Sequence, residues 1–207
     1  MSTTRGRRGS DDVSVAPPGN VLLRAPALSD GKRSICPSLH AGDDVNLCVV
    51  SLSGTPDRIL DTWRRHGGLP QKVGIVTADE TRSAAAADLP SATVGPDGTT
   101  VSTTTVSEPG DLTGIGIKVS QCLSAWRDDD ATTVLCFDSL TTLLQYADLQ
   151  RAFRFLHMLT QQIENAGALG YFHIDPTAHD DQTVSTVANL FSEQFEYDAE
   201  TGGWDER

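Results

Sequence analysis

Large apolar residues along this chain fall into two kinds of pattern. Short unbroken runs, Val21-Leu22-Leu23, Leu47-Cys48-Val49-Val50, Val73-Gly74-Ile75-Val76, Val134-Leu135-Cys136-Phe137 and Leu169-Gly170-Tyr171-Phe172, lack the alternation of half-exposed strands, as strands covered on both faces do. Between them the spacing turns helical. Thr55 and Pro56 supply an N-cap and a first-turn proline for a stripe of Ile59, Leu60 and Trp63 that stops at Gly67-Gly68. Asp111 caps a helix carrying Leu112, Ile115, Val119, Cys122, Leu123 and Trp126, and Asp148 opens a longer one through Leu149, Phe153, Leu156, Leu159 and Ile163, ended by Gly167. A further helix is predicted from about Gln182 to Phe191. A Thr- and Val-rich strand is predicted over Thr99 to Val106, and a terminal strand pair at Gln194 to Tyr197 and Trp204. Residues 79 to 98 read as a variable excursion. Strands alternating with helices predict an α/β fold with a mostly parallel sheet flanked by helices on both faces.

Residues 1 to 18 combine Ser, Thr, Gly, Arg and Pro17-Pro18 with almost no large apolar side chains. They read as a disordered leader to one α/β domain spanning 19–207. Twenty-eight acidic residues, mostly Asp, face sixteen basic ones, of which only Lys32, Lys72 and Lys118 are lysines. Such a charge repels nucleic acid, and no basic patch lies outside the leader. High Asp with scarce Lys resembles the proteins of salt-loving archaea, so the acidity reports habitat and not a basic partner. No run approaches the roughly 20 apolar residues that cross a bilayer, and the first residues lack the apolar core of a secretory signal; the expectation is a cytoplasmic protein without a membrane partner. Cys36, Cys48, Cys122 and Cys136 are scattered without a Cys-x-x-Cys pair, which predicts buried reduced thiols.

The segment Thr132 to Thr141 runs from buried strand to Asp138, Ser139 and Thr141. A carboxylate at the carboxyl end of a strand is how nucleoside triphosphatases hold Mg²⁺ beside phosphates, the Walker B element. The phosphate loop that accompanies it is Gly-x-x-x-x-Gly-Lys-Ser/Thr. Here Pro26 stands for the first glycine, Gly31 and Lys32 for the Gly-Lys pair, and Arg33 for the hydroxyl, with Ser34 one place on. Proline removes an amide donor, and Arg33 cannot ligate a cation. Pro37 also falls within the helix that should follow, where proline is tolerated only in the first turn. The nucleotide-binding residues, if that role is retained, are Gly31, Lys32 and Ser34, with Asp138 at the metal.

These segments resemble the KaiC, RadA and RecA group of ATPases over about residues 19 to 198. The resemblance rests on Asn20-Val21-Leu22-Leu23 before the loop, Val49-Val50-Ser51-Leu52-Ser53 followed by Thr55-Pro56-Asp57-Arg58-Ile59-Leu60, and Phe137-Asp138-Ser139-Leu140-Thr141. It implies a RecA-like P-loop NTPase fold with ATP and Mg²⁺ as cofactors. In that group the second strand ends in glutamates that activate water, and the matching positions here are Ser53 and Gly54, neither of which accepts a proton as a carboxylate does. No catalytic residue is therefore assigned. The chain more particularly is similar to haloarchaeal KaiC-like proteins, some labelled transducer-like, through Glu108 to Gly114 and Arg151 to His157. The expectation is a non-catalytic or nearly inactive member acting through protein contacts, as a regulator or adaptor in signalling, with a protein partner or a homo-oligomer. The alternative is a low-turnover ATPase.

Other chemistry-bearing residues are fewer. His173, Asp175 and His179 follow a strand and could hold a divalent metal, although their spacing matches no established site and loop capping explains them as well. Ser139 lacks a nucleophile frame and reads as a helix cap. Trp63 and Trp126 read as core aromatics, Asp128 to Asp130 as a solvated turn, Arg151 and Arg154 as solvated surface residues with an inter-subunit contact as the alternative, and His157 as packed or solvent-facing.

Overall fold

The structure is a computed structural model and describes residues 13, 15–40, 44–78, 91–95 and 98–207, without the side chains of Asp30, Arg33, Ser34 and Ser91. Its elements are β1 (Gly19–Arg24), α1 (Asp30–Leu39), β2 (Val45–Ser51), α2 (Pro56–His66), β3 (Lys72–Ala78), β4 (Ser91–Val94), β5 (Thr100–Val106), α3 (Leu112–Ala125), β6 (Thr132–Asp138), α4 (Leu140–Tyr146), α5 (Leu149–Asn165), β7 (Leu169–Ile174), a 3-10 turn at Pro176–Ala178, α6 (Asp181–Ala188), β8 (Glu193–Asp198) and β9 (Gly203–Glu206). All nine strands join one sheet in the order β4-β5-β3-β2-β6-β7-β1-β8-β9. The seven inner strands run parallel, and β4 and β9 close the edges antiparallel.

The unbroken apolar runs are explained by the two layers they separate. Successive strand residues point to opposite faces. Leu22, Cys48, Val50, Leu135, Phe137 and Phe172 therefore pack beneath α3 to α6, while Val21, Leu47, Val49, Cys136 and Tyr171 pack beneath α1 and α2. Phe137 and Phe172 stack with ring centroids 5.7 Å apart on the first face. Two predicted caps form hydrogen bonds, Asp111 accepting from the Gly114 amide at 2.8 Å and Asp148 from the Arg151 amide at 2.9 Å, whereas Thr55 stands at the N-cap of α2 without a side-chain cap hydrogen bond. Gly167 takes the positive φ of +70° expected after α5.

Four expectations need correction. Residues 1–12 and 14 of the predicted leader lie outside the described residues, but Val13 is fully buried and Val15 packs on the α1/α2 face, so the core begins before residue 19. Pro37 sits near the end of α1, not in its first turn; its carbonyl presses so closely on Gly67 that any β-carbon there would collide with it, which gives this glycine a packing reason besides its place after α2. Reading Ser139 as a helix cap implied a helix after it, but the extent of α4 went unpredicted because seven residues are too few to display a period. Asp129 is no free surface acid: it accepts from Lys72 at 2.6 Å and from Asn46 at 2.8 Å, tying the entrances of β2 and β3 to the turn before β6. Of the predicted excursion, residues 79–90 and 96–97 lie outside the described residues, and 91–94 form β4.

Candidate functional site

Parallel strands bring their carboxyl ends to one edge of the sheet, and the chain leaves β1 and β7 in opposite directions there. From β1 it passes through α1 on one face to β2; from β7 it passes through α6 on the other face to β8. That divergence leaves a crevice at the strand ends, the place where open α/β sheets bind ligands. The residues read as a phosphate site converge on it. Ser29 caps α1 by accepting from the Lys32 amide at 3.2 Å. Lys32, in the first turn, places Nζ 2.7 Å from Oδ1 of Asp138 at the end of β6. Asp138 therefore serves as the partner of Lys32 and not as a cap; Ser139 is the cap, accepting from the Thr142 amide at 3.2 Å.

The loop from Ala25 to Ser29 is closed on itself. The amide of Ala25 donates to the Ile174 carbonyl at 3.0 Å and that of Ser29 to Pro26 at 2.9 Å. The Ala27 amide donates to Oδ2 of Asp175 at 2.8 Å. Although burial raises the Asp175 carboxyl, hydrogen bonds from Thr177 and from the Ala27 amide outweigh it and lower the pKa. Gly31 lies under the Tyr197 ring so closely that a β-carbon would strike it; the glycine is required by packing whether or not a phosphate binds. The backbone of Ser34 lies in α1.

Beside the Lys32–Asp138 pair opens a cavity of about 450 Å³ between α1, α2 and the sheet. Ser53, Gly54 and Arg58 line one wall, and Cys36, Cys136 and His173 line another. No carboxylate occupies the end of β2. Arg58 lines the cavity and has no ion-pair partner among the described residues.

The three candidate metal ligands are divided between tasks. His173 turns to the α1 face, its Nε2 3.2 Å from Cys36 Sγ. Asp175 holds the Ala27 loop and Thr177, and His179 ends the 3-10 turn. Among the described residues no group of three or more His, Cys, Asp or Glu side chains is disposed to hold a metal ion.

The thiols were the part of this site that sequence reading missed. All four cysteines are free, as expected, and Cys36, Cys48 and Cys136 are buried. They fall in two pairs, Cys36 and Cys136 lining the same cavity on the α1/α2 face and Cys48 and Cys122 packed on the other, the thiols of each pair close enough to perturb one another. One signal was available: Cys136 precedes Asp138 by two residues on a strand, so the two share a face. Burial raises the Cys36 thiol, but the hydrogen bond from Cys136 and the field of His173 outweigh it and bring the pKa from 9.0 to about 6, with Asp138 opposing. Burial, with the hydrogen bond to Cys36, pushes Cys136 well up.

Fold and site together define an open, mostly parallel α/β domain with a charged crevice at its carboxyl edge. Residues 18–197 match a family described as Family of unknown function (DUF7504), and the chain belongs to it. No curated protein matches the chain. Among solved structures it is similar to a Pyrococcus horikoshii OT3 protein studied as Project ID PH0250, at a TM-score of 0.58 and 10% identity, covering 90% of this chain and 85% of that one. It is also similar to the uncharacterized protein PH0321 from Pyrococcus horikoshii, solved in complex with an unknown peptide, at a TM-score of 0.61 and 13% identity, covering 92% and 82%. At these identities the likeness is one of fold. Among the described residues no helix is long and apolar enough to cross a membrane.

Proposed function

We propose that this chain is a RecA-like, KaiC-like domain that acts through protein contacts as a regulator or adaptor, and turns over ATP slowly if at all. The observation that carries the reading is the 2.7 Å ion pair between Lys32 and Asp138. In a phosphate-loop enzyme the lysine reaches the phosphates and the aspartate the Mg²⁺; here each charge neutralises the other. The loop supports the same reading, because Pro26 has no amide and those of Ala27 and Ser29 already donate to Asp175 and Pro26. Ser53 and Gly54, where an activating glutamate would stand, supply no proton acceptor for water. Mg·ATP is thus a poor match to the residues present. The Pyrococcus protein crystallised with a peptide makes a peptide a reasonable probe, although a likeness of fold does not transfer a ligand.

A second reading, a low-turnover ATP-binding protein using Gly31, Lys32 and Ser34 with Asp138 at Mg²⁺, is favoured by one observation: the 450 Å³ cavity opens directly beside the pair. Calorimetric titration of Mg·ATP in molar salt separates the two. The expected result is no heat of binding. Micromolar binding that disappears in both Lys32→Ala and Asp138→Asn would overturn the first reading in favour of the second.

A further inference from the structure

The wall of the cavity away from Arg58 gathers more nucleophilic chemistry than a regulator of this kind requires. Cys36 approaches from α1, Cys136 from β6 and His173 from β7, three elements distant in sequence. Both thiols line the cavity while remaining 5% and 4% exposed. The imidazole Nε2 is 3.2 Å from Cys36 Sγ, and its Nδ1 is buried without a hydrogen-bond partner among the described residues. A thiol held against an imidazole, with a second thiol in reach and an opening wide enough for a small molecule, is the arrangement of an attacking and a resolving cysteine. We propose that Cys36 and Cys136 form a peroxide-reactive dithiol, Cys36 attacking and Cys136 resolving, with small hydroperoxides as the substrate class.

The chemistry balances without another reactant. The proton shared by Cys36 and His173 rests on the imidazole while the Cys36 thiolate attacks the terminal peroxide oxygen. The O–O bond breaks; sulfur is oxidised by two electrons to the sulfenic acid, and the departing alkoxide or hydroxide leaves as alcohol or water with the imidazole proton. Cys136 then gives its proton to the imidazole, and its sulfur attacks Cys36 Sγ. The S–O bond breaks, hydroxide leaves as water with that proton, and a disulfide forms. One peroxide is consumed per chain, and an external dithiol restores the starting state. The low pKa of Cys36 agrees with its role as the attacking group, while the raised one of Cys136 suits a thiol that waits for the sulfenic acid. This inference is independent of whether ATP binds.

Cys48 and Cys122 are an internal control. They pack together on the other face, among apolar side chains and away from this cavity, with no histidine beside them among the described residues. The full-length protein is treated at pH 7 with one equivalent of hydrogen peroxide, quenched, and mapped by mass spectrometry without reduction. The expected product is a Cys36–Cys136 disulfide, with the Cys48 and Cys122 thiols intact and all four recovered after dithiothreitol. Cys136→Ser should accumulate a sulfenic acid at Cys36 that dimedone traps. His173→Gln should slow peroxide consumption by about tenfold or more, whereas Cys48→Ser should leave it unchanged. Oxidation spread evenly over both pairs, or consumption no faster than that of an unfolded chain, would overturn the proposal. The disulfide map of the unmutated protein decides the matter even if a variant fails to fold.

Discussion

The two faces of the sheet each bury a pair of cysteine thiols and differ in nearly everything around them. On the α3 to α6 face, Cys48 and Cys122 sit in a layer filled by Phe137, Phe172, Leu156, Ile163 and Val187. On the α1/α2 face, Cys36 and Cys136 sit beside a cavity with His173, Lys32 and Asp138. Among the described residues four helices cover the first face and two the second, and the cavity opens on the second. A close-packed layer fixes geometry but admits nothing, whereas a layer with a gap gives up packing and gains access for a small molecule. Stability and chemistry are therefore expected to separate by face.

The largest test of that separation is Phe137→Ala. It removes a ring that stacks on Phe172 in the filled layer and is expected to cost about 3–5 kcal/mol, read as a lower midpoint in urea denaturation. Cys136→Ala, one residue earlier on the other face, should cost only about 1 kcal/mol because water can enter beside it. Equal costs would end the comparison. Thiol reactivity comes next. With iodoacetamide at pH 7, Cys36 should react about tenfold or more faster than Cys48, and its rate should fall only as pH drops through about 6, the value at which its thiolate is lost. A rate that instead falls through the ordinary thiol range would remove the influence of His173 and Cys136.

Smaller effects belong to the charges. Asp138→Asn leaves Lys32 without its partner, but the Asp138 side chain is 41% exposed, so a loss of about 1 kcal/mol is expected, shrinking in molar salt. A double-mutant cycle with Lys32→Met checks it; no coupling at low salt would mean that the pair contributes nothing to stability. The smallest effect is at Asp129, whose pKa is lowered chiefly by the hydrogen bond from Lys72. A depressed carboxyl contributes stability above its unfolded value of about 3.9 and loses it as pH falls through the folded value. Asp129→Asn should therefore slightly lower the melting temperature in the neutral range, and the two profiles should converge as pH falls below 4.

Much of the fold could be read from local pattern. The five apolar runs became inner strands, Asp111, Asp148 and Gly167 marked helix ends where capping chemistry requires them, and Pro56 marked the first turn of α2. The misses have definite causes. The local pattern gave no prediction of α1 because Pro37 argues against a helix there, and contacts with α2 and the sheet outweigh that local preference. Val13 looked like part of a polar leader because only its neighbours in space, on the α1/α2 face, make it core. The site was legible in part. Lys32 and Asp138 were singled out from their motifs, while His173 was grouped with Asp175 and His179, its neighbours along the chain, although its chemical neighbour is Cys36, 137 positions away.

The alternation of inner strands with helices, the parallel character of the sheet and the absence of a complete phosphate-loop motif after the first strand were determined by the sequence alone, because periodicity, caps and functional-group identity are local properties. Which charges neutralise each other, which thiol meets an imidazole and which face keeps a cavity were decided only by the tertiary structure. Those outcomes depend on distances between residues far apart in the chain, set when the helices of each face pack across the sheet.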